Sequence, residues 1–194
     1  MAGFATRHGI HDEPRRQRIA DVVRQVEADG IRTVRLGFAD QHGVVRGKSL
    51  AADQIGSLFE DGMTAPSSLL LKDLAHRTVL PVWNGESTGL AGMAGIGDIL
   101  LIPDPARFHI LPWLRDTAWI QADIFHTDGN PSPLDTRGIA RRANAGLVEA
   151  GLQFHAGLEI EAHVYRLSDG PLNASDIGQP GTPPEVEILN RGYQ

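Results

Sequence analysis

The sequence predicts an α+β fold in two units, and three observations carry that expectation. Apolar and polar residues alternate in short runs, as at Val34, Leu36 and Phe38, which is the pattern of a half-buried strand. Two longer stretches, beginning near Glu13 and Asp135, place their apolar residues at helical spacing instead. A hairpin, a short helix and further strands then follow one another over about the first hundred residues, a mixed arrangement.

Taken in order, Met1 to about Asp12 reads as a loose polar leader. A helix is expected from Glu13 to Asp29, with Asp12 as the capping carboxylate, Pro14 in the first turn and Gly30 as the stop. Ile19, Val22, Val23 and Val26 form its apolar stripe. Thr33 to Ala39 alternates as a strand, Asp40-Gln41-His42-Gly43 turns the chain, and Val44 to Lys48 returns as the second arm of a hairpin. Ile55, Leu58 and Phe59 mark a short helix ended by Gly62. Thr78 to Gly97 is glycine-rich and reads as loop; Gly85, Gly89, Gly92, Gly95 and Gly97 lack the spacing of a dinucleotide-binding loop. Ile99 to Ile102 is expected as a buried strand closed by Pro103 and Pro105, with Phe108 to Trp113 as a separate apolar segment.

A second unit is expected from Asp116. Ala118, Ile120, Ala122 and Ile124 alternate along a strand, and Thr127 to Pro131 makes a turn. A helix runs from its N-cap Asp135 to Gly151, with Ile139, Ala143, Leu147 and Ala150 facing inward. A strand from Phe154 to Leu167 follows, then a loop rich in Gly, Pro, Asp and Ser over Ser168 to Pro184. Two strands and one helix do not close a sheet, so this unit is expected to be incomplete. The division is therefore a leader and helix at 1–30, a first domain at 31–115 and the start of a second at 116–194.

Composition narrows the function classes. The formal charge is −6 over 194 residues, and no basic stripe is available to offset the phosphates of a nucleic acid. No apolar run reaches the roughly 18 residues that span a bilayer, and the N-terminus lacks the apolar core of a secretion signal. The absence of cysteine excludes disulfides, thiolate metal sites and a cysteine nucleophile, and fits the cytoplasm.

The strongest local signal for chemistry is Gly157-Leu158-Glu159-Ile160-Glu161-Ala162-His163. On a strand, alternate side chains share a face, so His155, Glu159, Glu161 and His163 would oppose Phe154, Ala156, Leu158, Ile160, Ala162 and Val164. Positions two apart lie roughly 6.6 Å from each other, enough for two carboxylates to hold neighbouring divalent cations. Hard oxygen ligands favour Mg²⁺ or Mn²⁺. The plain alternative is a surface strand with its polar face in water. Asp40 is the second signal; taken alone, with Gly43 three positions on, it reads as an ordinary turn former. The chain carries no serine-centred nucleophile elbow, zinc-binding HExxH or phosphate-binding loop.

In their order and spacing these segments resemble the glutamine synthetase family. The resemblance runs from about Ile31 to Gln194. It rests on the hairpin from Val34 through Asp40 to Gly47-Lys48, on Gly97 to Asp104, Pro112-Trp113, Asp123 with Asp128-Gly129, Gly157 to Glu161, and Gly181-Thr182-Pro183-Pro184 to Gly192-Tyr193-Gln194. It implies an N-terminal β-grasp domain followed by the start of a catalytic domain built on a curved antiparallel sheet. It implies an ATP-dependent ligase that phosphorylates the γ-carboxylate of glutamate and then forms an amide with ammonia. Other amines, such as a polyamine or ethanolamine, and a non-catalytic assembly or regulatory role are the alternatives. By position, Glu159 resembles the ligand of the cation on the nucleotide side and Glu161 that of the cation nearer glutamate. Asp40 matches an aspartate that reaches a neighbouring subunit's site to attract ammonium and accept its proton, and Tyr193 a tyrosine lining the amine pocket. The shared site implies a homo-oligomer of two stacked hexameric rings. Two departures bear on the amine: Ala65-Pro66-Ser67-Ser68 stands where the ammonia-using bacterial enzymes carry Asp-Gly-Ser-Ser, and Ala162-His163 replaces an aromatic pair. The 194 residues lack the family's later ligands and nucleotide loop, so on their own they are expected to be inactive.

Overall fold

A computed structural model describes residues 2–74, 76–80, 89, 93, 97–168 and 185–189. The glycine-rich stretch at 81–96, most of the loop at 168–184 and Tyr193 fall largely or wholly outside them.

Five strands form the main sheet: β1 (Thr33–Ala39), β2 (Val45–Ala51), β3 (Met63–Pro66), β4 (Asp98–Ile110) and β5 (Thr117–His126), in the order β2-β1-β5-β4-β3. The hairpin β1–β2 is antiparallel with Gly37 opposite Gly47, whereas β1 and β5 run parallel through the centre. This mixed sheet carries the β-grasp arrangement that the resemblance implied. The strand expected to open a second unit is thus seated in the middle of the first sheet. Its alternation explains why: Ala118, Ile120, Ala122 and Ile124 are all buried, and they meet Val34, Leu36 and Phe38 of β1 in one core.

Among the described residues four α-helices accompany the sheet: α1 (Phe4–Arg7), α2 (Glu13–Ala28), α3 (Ile55–Asp61) and α4 (Thr136–Glu149). Helix α2 begins as expected, with the Asp12 carboxylate accepting the Arg15 amide at 2.8 Å, and Gly30 leaves it with φ of +62°. Val22 and Val26 bury its inner face against the sheet, joined by Ile55, Leu58 and Phe59 of α3. The residues after α3 form β3 and a 3₁₀ turn (Ser67–Leu71), neither of which the alternation marked.

Three expectations are corrected. The leader is not loose: α1 docks Phe4 in a second apolar cluster with Leu100 and Ile102, on the opposite sheet face from the main core, and Ala5 is buried as well. Ile10 and Phe125 complete that cluster, which is why a short polar-looking segment is held. Next, β4 does not end at Pro103. It continues to Ile110, with the register slipping between Pro103, opposite Ala122, and Phe108, opposite Ile120. Both prolines sit in that irregularity, where no ladder donor is required.

The third correction concerns 152–164. Only Tyr165–Leu167 (β6) forms a strand there, paired antiparallel with Val186–Ile188 (β7). Residues 152–164 lie outside any ladder and are exposed, including the Phe154, Leu158, Ile160 and Val164 side chains expected in a core. The inner face of α4 is likewise uncovered: the helix forms, but none of its side chains is buried. Alternation alone makes a strand only where a neighbouring strand supplies hydrogen-bond partners.

Candidate functional site

The β1–β2 turn is built around Asp40. Its side chain is fully removed from solvent. Oδ1 accepts the backbone amides of His42 at 2.9 Å and Val44 at 3.0 Å, and Oδ2 accepts Arg46 Nε at 2.7 Å. The backbone closes the turn as well, with Gly43 N donating to Asp40 O at 2.9 Å. Burial pushes the carboxyl pKa up, but the hydrogen bond from Arg46 and the two amides outweigh it. The net position is below the usual carboxylate range. Arg46 extends outward to His76 Nδ1 at 3.2 Å, so the exposed end of this chain is an imidazole rather than the carboxylate. His76 itself has φ of +60°, uncommon for a side chain with a Cβ.

A second polar cluster lies where β4, β5 and the first turn of α4 meet. Arg137 forks two carboxylates, Asp104 through Nη2 and Asp123 through Nη1, the latter at 2.7 Å. Arg141, one turn further along, also reaches Asp123, at 2.6 Å. Thr136 Oγ1 donates to the carbonyl of Ala39 at 2.9 Å, directly beside Asp40. Asp104 is held below the usual range: burial raises it, but Arg137 and the Ala106 amide more than compensate. Asp135 behaves in the opposite way. Burial, and then the neighbouring Asp123 charge, push it up.

Of the residues singled out in the sequence, Asp40 is therefore buried and saturated with donors. Glu159 and Glu161 are exposed and outside any sheet, and Tyr193 falls outside the described residues. Asp40 thus lies in the β1–β2 turn and the two glutamates in the segment after α4. Among the described residues no three carboxylate or imidazole groups converge as a metal site. The two glutamates still offer the hard oxygen donors that a Mg²⁺ or Mn²⁺ ion selects. In Ala65-Pro66-Ser67-Ser68, Ala65 and both serines are buried at the corner after β3.

Sequence reasoning missed Arg46 and the Arg137 cluster. A signal existed for each. The hairpin register sets Arg46 opposite Phe38, close to the turn, and Arg137 and Arg141 stand at i and i+4 on one helix face.

No family model matches the chain. It is 29% identical over 197 residues to a γ-glutamylanilide synthase of Acinetobacter sp., a match covering 98% of this chain and 39% of that protein. It is 31% identical to a glutamate–isopropylamine ligase of Pseudomonas sp., covering 84% and 34% respectively. A glutamine synthetase of Mycolicibacterium smegmatis is 29% identical over 179 residues, covering 89% and 33%. Among solved structures, apo GmaS without ligand superposes with a TM-score of 0.52 at 24% identity, over 68% of this chain and 27% of that one, a likeness of fold. The chain thus spans 33–39% of the length of these three relatives. Fold and sequence together define a portion of a glutamine synthetase-type architecture. Over the residues matched, the chain belongs to the glutamine synthetase family.

Proposed function

We propose that this chain is part of an ATP-dependent γ-glutamyl ligase that joins glutamate to an amine through a γ-glutamyl phosphate. What carries the reading is the likeness to γ-glutamylanilide synthase along nearly the whole chain, seconded by the isopropylamine ligase. Ala65-Pro66-Ser67-Ser68 points the same way, because the turn of the ammonia-using enzymes is replaced by a buried corner. Ammonia, the first expectation from sequence, is kept as the second reading on the likeness to a glutamine synthetase.

In this reading Glu159 and Glu161 hold Mg²⁺ or Mn²⁺, which neutralises charge that builds as the γ-phosphoryl group moves. Their present exposure leaves their oxygens free for a cation, with further ligands supplied by the rest of the enzyme. Tyr193 would line the amine pocket, and the catalytic unit would begin beyond the sheet, after His126. Asp40 has a narrower part. Saturated by Arg46 and two amides, it serves as a proton acceptor only where assembly into rings opens the turn toward a neighbouring subunit.

The test uses the chain extended to the length of its relatives. With glutamate, ATP and Mg²⁺, ADP release should depend on an added amine, and isopropylamine or aniline should outperform ammonium. A preference for ammonium would favour the second reading. Glu161→Gln should lower turnover by about 10² or more while the circular dichroism spectrum is unchanged. Wild-type turnover in that variant would remove Glu161 from the site.

A further inference from the structure

Helix α4 is held in an unusual way. None of its side chains is buried, and Ile139 and Val148 remain exposed. Apolar packing, which fixes most helices on a sheet, therefore does not fix this one. Its attachment is concentrated at the N-terminal end, where Thr136 and Arg137 begin the helix and Arg141 follows one turn later. Cations at that end oppose the helix dipole, so they do not serve the helix's own stability. Their partners are elsewhere. Arg137 binds Asp104 of β4 and Asp123 of β5, Arg141 binds Asp123, and Thr136 holds the Ala39 carbonyl at the end of β1. The Arg137, Asp104 and Asp123 side chains are 17%, 13% and 9% exposed, so water screens these pairs far less than surface ones. The planar fork of arginine suits two acceptors at once, where an ammonium would choose one.

We propose that Arg137 is a positioning residue: by forking Asp104 and Asp123 while Thr136 grips Ala39, it couples the orientation of α4 to the turn that carries Asp40. Helix α4 leads directly into the Glu159–Glu161 segment. On the ligase reading above, on which this last step rests, the clamp sets the distance between the two halves of the site. The coupling itself does not depend on that reading, since it concerns contacts present without any ligand.

The test is hydrogen exchange by NMR on the 194-residue chain carrying Arg137→Lys, which keeps the charge and loses the fork. The α4 amides should exchange at least about tenfold faster. The His42 and Val44 amides, which are bonded to Asp40, should quicken with them, while Leu36 and Ile120 in the sheet centre keep their rates. Quickening at His42 and Val44 separates positioning from a local role, because the Arg137 guanidinium is bonded to Asp104 and Asp123 and to neither of these amides. If α4 loosens alone, the coupling is wrong; if nothing changes, the clamp is idle and the proposal falls. Should Arg137→Lys not fold, Asp104→Asn cuts one prong and leaves the Asp123 pair. It should raise the same rates by about threefold. Unchanged rates in a folded Asp104→Asn chain overturn the proposal equally. No substrate is present in either measurement, so an inactive extended enzyme would remove the ligase reading and leave this one standing.

Discussion

Asp40 keeps its charge where water does not reach it, and three donors make that tolerable. Two of them are backbone amides that any residue would present; the third, Arg46, supplies the countercharge. Asp40→Asn preserves shape and still accepts from the amides, but it turns an NH₂ group toward the guanidinium. Breaking a buried pair in this way costs about 3 kcal/mol. Urea denaturation at pH 7 should show that loss, and a change under about 0.5 kcal/mol would mean that the pair contributes little. The pH dependence follows from the same contacts. Asp40 and Asp104 both lie below the usual carboxylate range in the folded chain, so their contribution is full above about pH 4 and fades as pH falls through their folded values. Asp135 is raised, so it opposes them: protonation in mild acid relieves its burial. The acid transition of Asp40→Asn should therefore be shallower than that of the parent. Asp40 was legible in the sequence as a turn former, because Asp-x-x-Gly is local chemistry. Its pairing with Arg46 was not, since that depends on which residues the hairpin register brings together.

At the scale of elements, the hairpin illustrates a constraint that alternation does not reveal. Gly37 and Gly47 face one another across β1 and β2. A Cβ on Gly37 would come within 2.0 Å of Trp119 Cη2, and one on Gly47 within 2.1 Å of the Leu36 carbonyl oxygen. The first obstacle is a side chain that can rotate; the second is backbone that cannot. Gly47→Ala should therefore be the worse of the two, costing about 2–3 kcal/mol against about 1–2 kcal/mol for Gly37→Ala. Thermal unfolding of both variants checks the order, and an equal or reversed order would show that the hairpin backbone yields. The elements read correctly, α2, β1, β2, α3, β5 and α4, are those whose signals are local: a cap, a stop, a period. Those misread depend on distant partners. The bulge of β4 is fixed by its register with β5, and α1 is held because Leu100, Ile102 and Phe125 present an apolar face for Phe4 while Asp61 at the end of α3 accepts its amide.

Across the whole molecule, the packing is divided. Among the described residues, α2, α3 and the five strands share one core, with Val34, Leu36, Ile99, Ile120 and Ile124 wholly buried, and the opposite face of β4 is covered by the N-terminal arm. Downstream the balance reverses. Phe154, Leu158, Ile160 and Val164 are 67%, 86%, 79% and 69% exposed, within one run of residues that forms no ladder. The period-2 pattern of that run was legible, yet its burial was not, because the alternation states which face would be buried and not what covers it. Apolar side chains this exposed, this near one another in sequence, are the kind of surface that drives association. The 194-residue chain should accordingly self-associate. Sedimentation velocity should show a weight-average mass rising between about 5 and 100 μM, and an apolar dye should brighten on binding. Leu158→Glu with Ile160→Glu should suppress both effects and leave unfolding of the five-stranded sheet unchanged, since neither residue touches its core. Should the double variant associate as strongly as the parent, the sticky surface lies elsewhere, and the exposed strand β2 at the sheet edge, with Val45 62% exposed, becomes the next face to block.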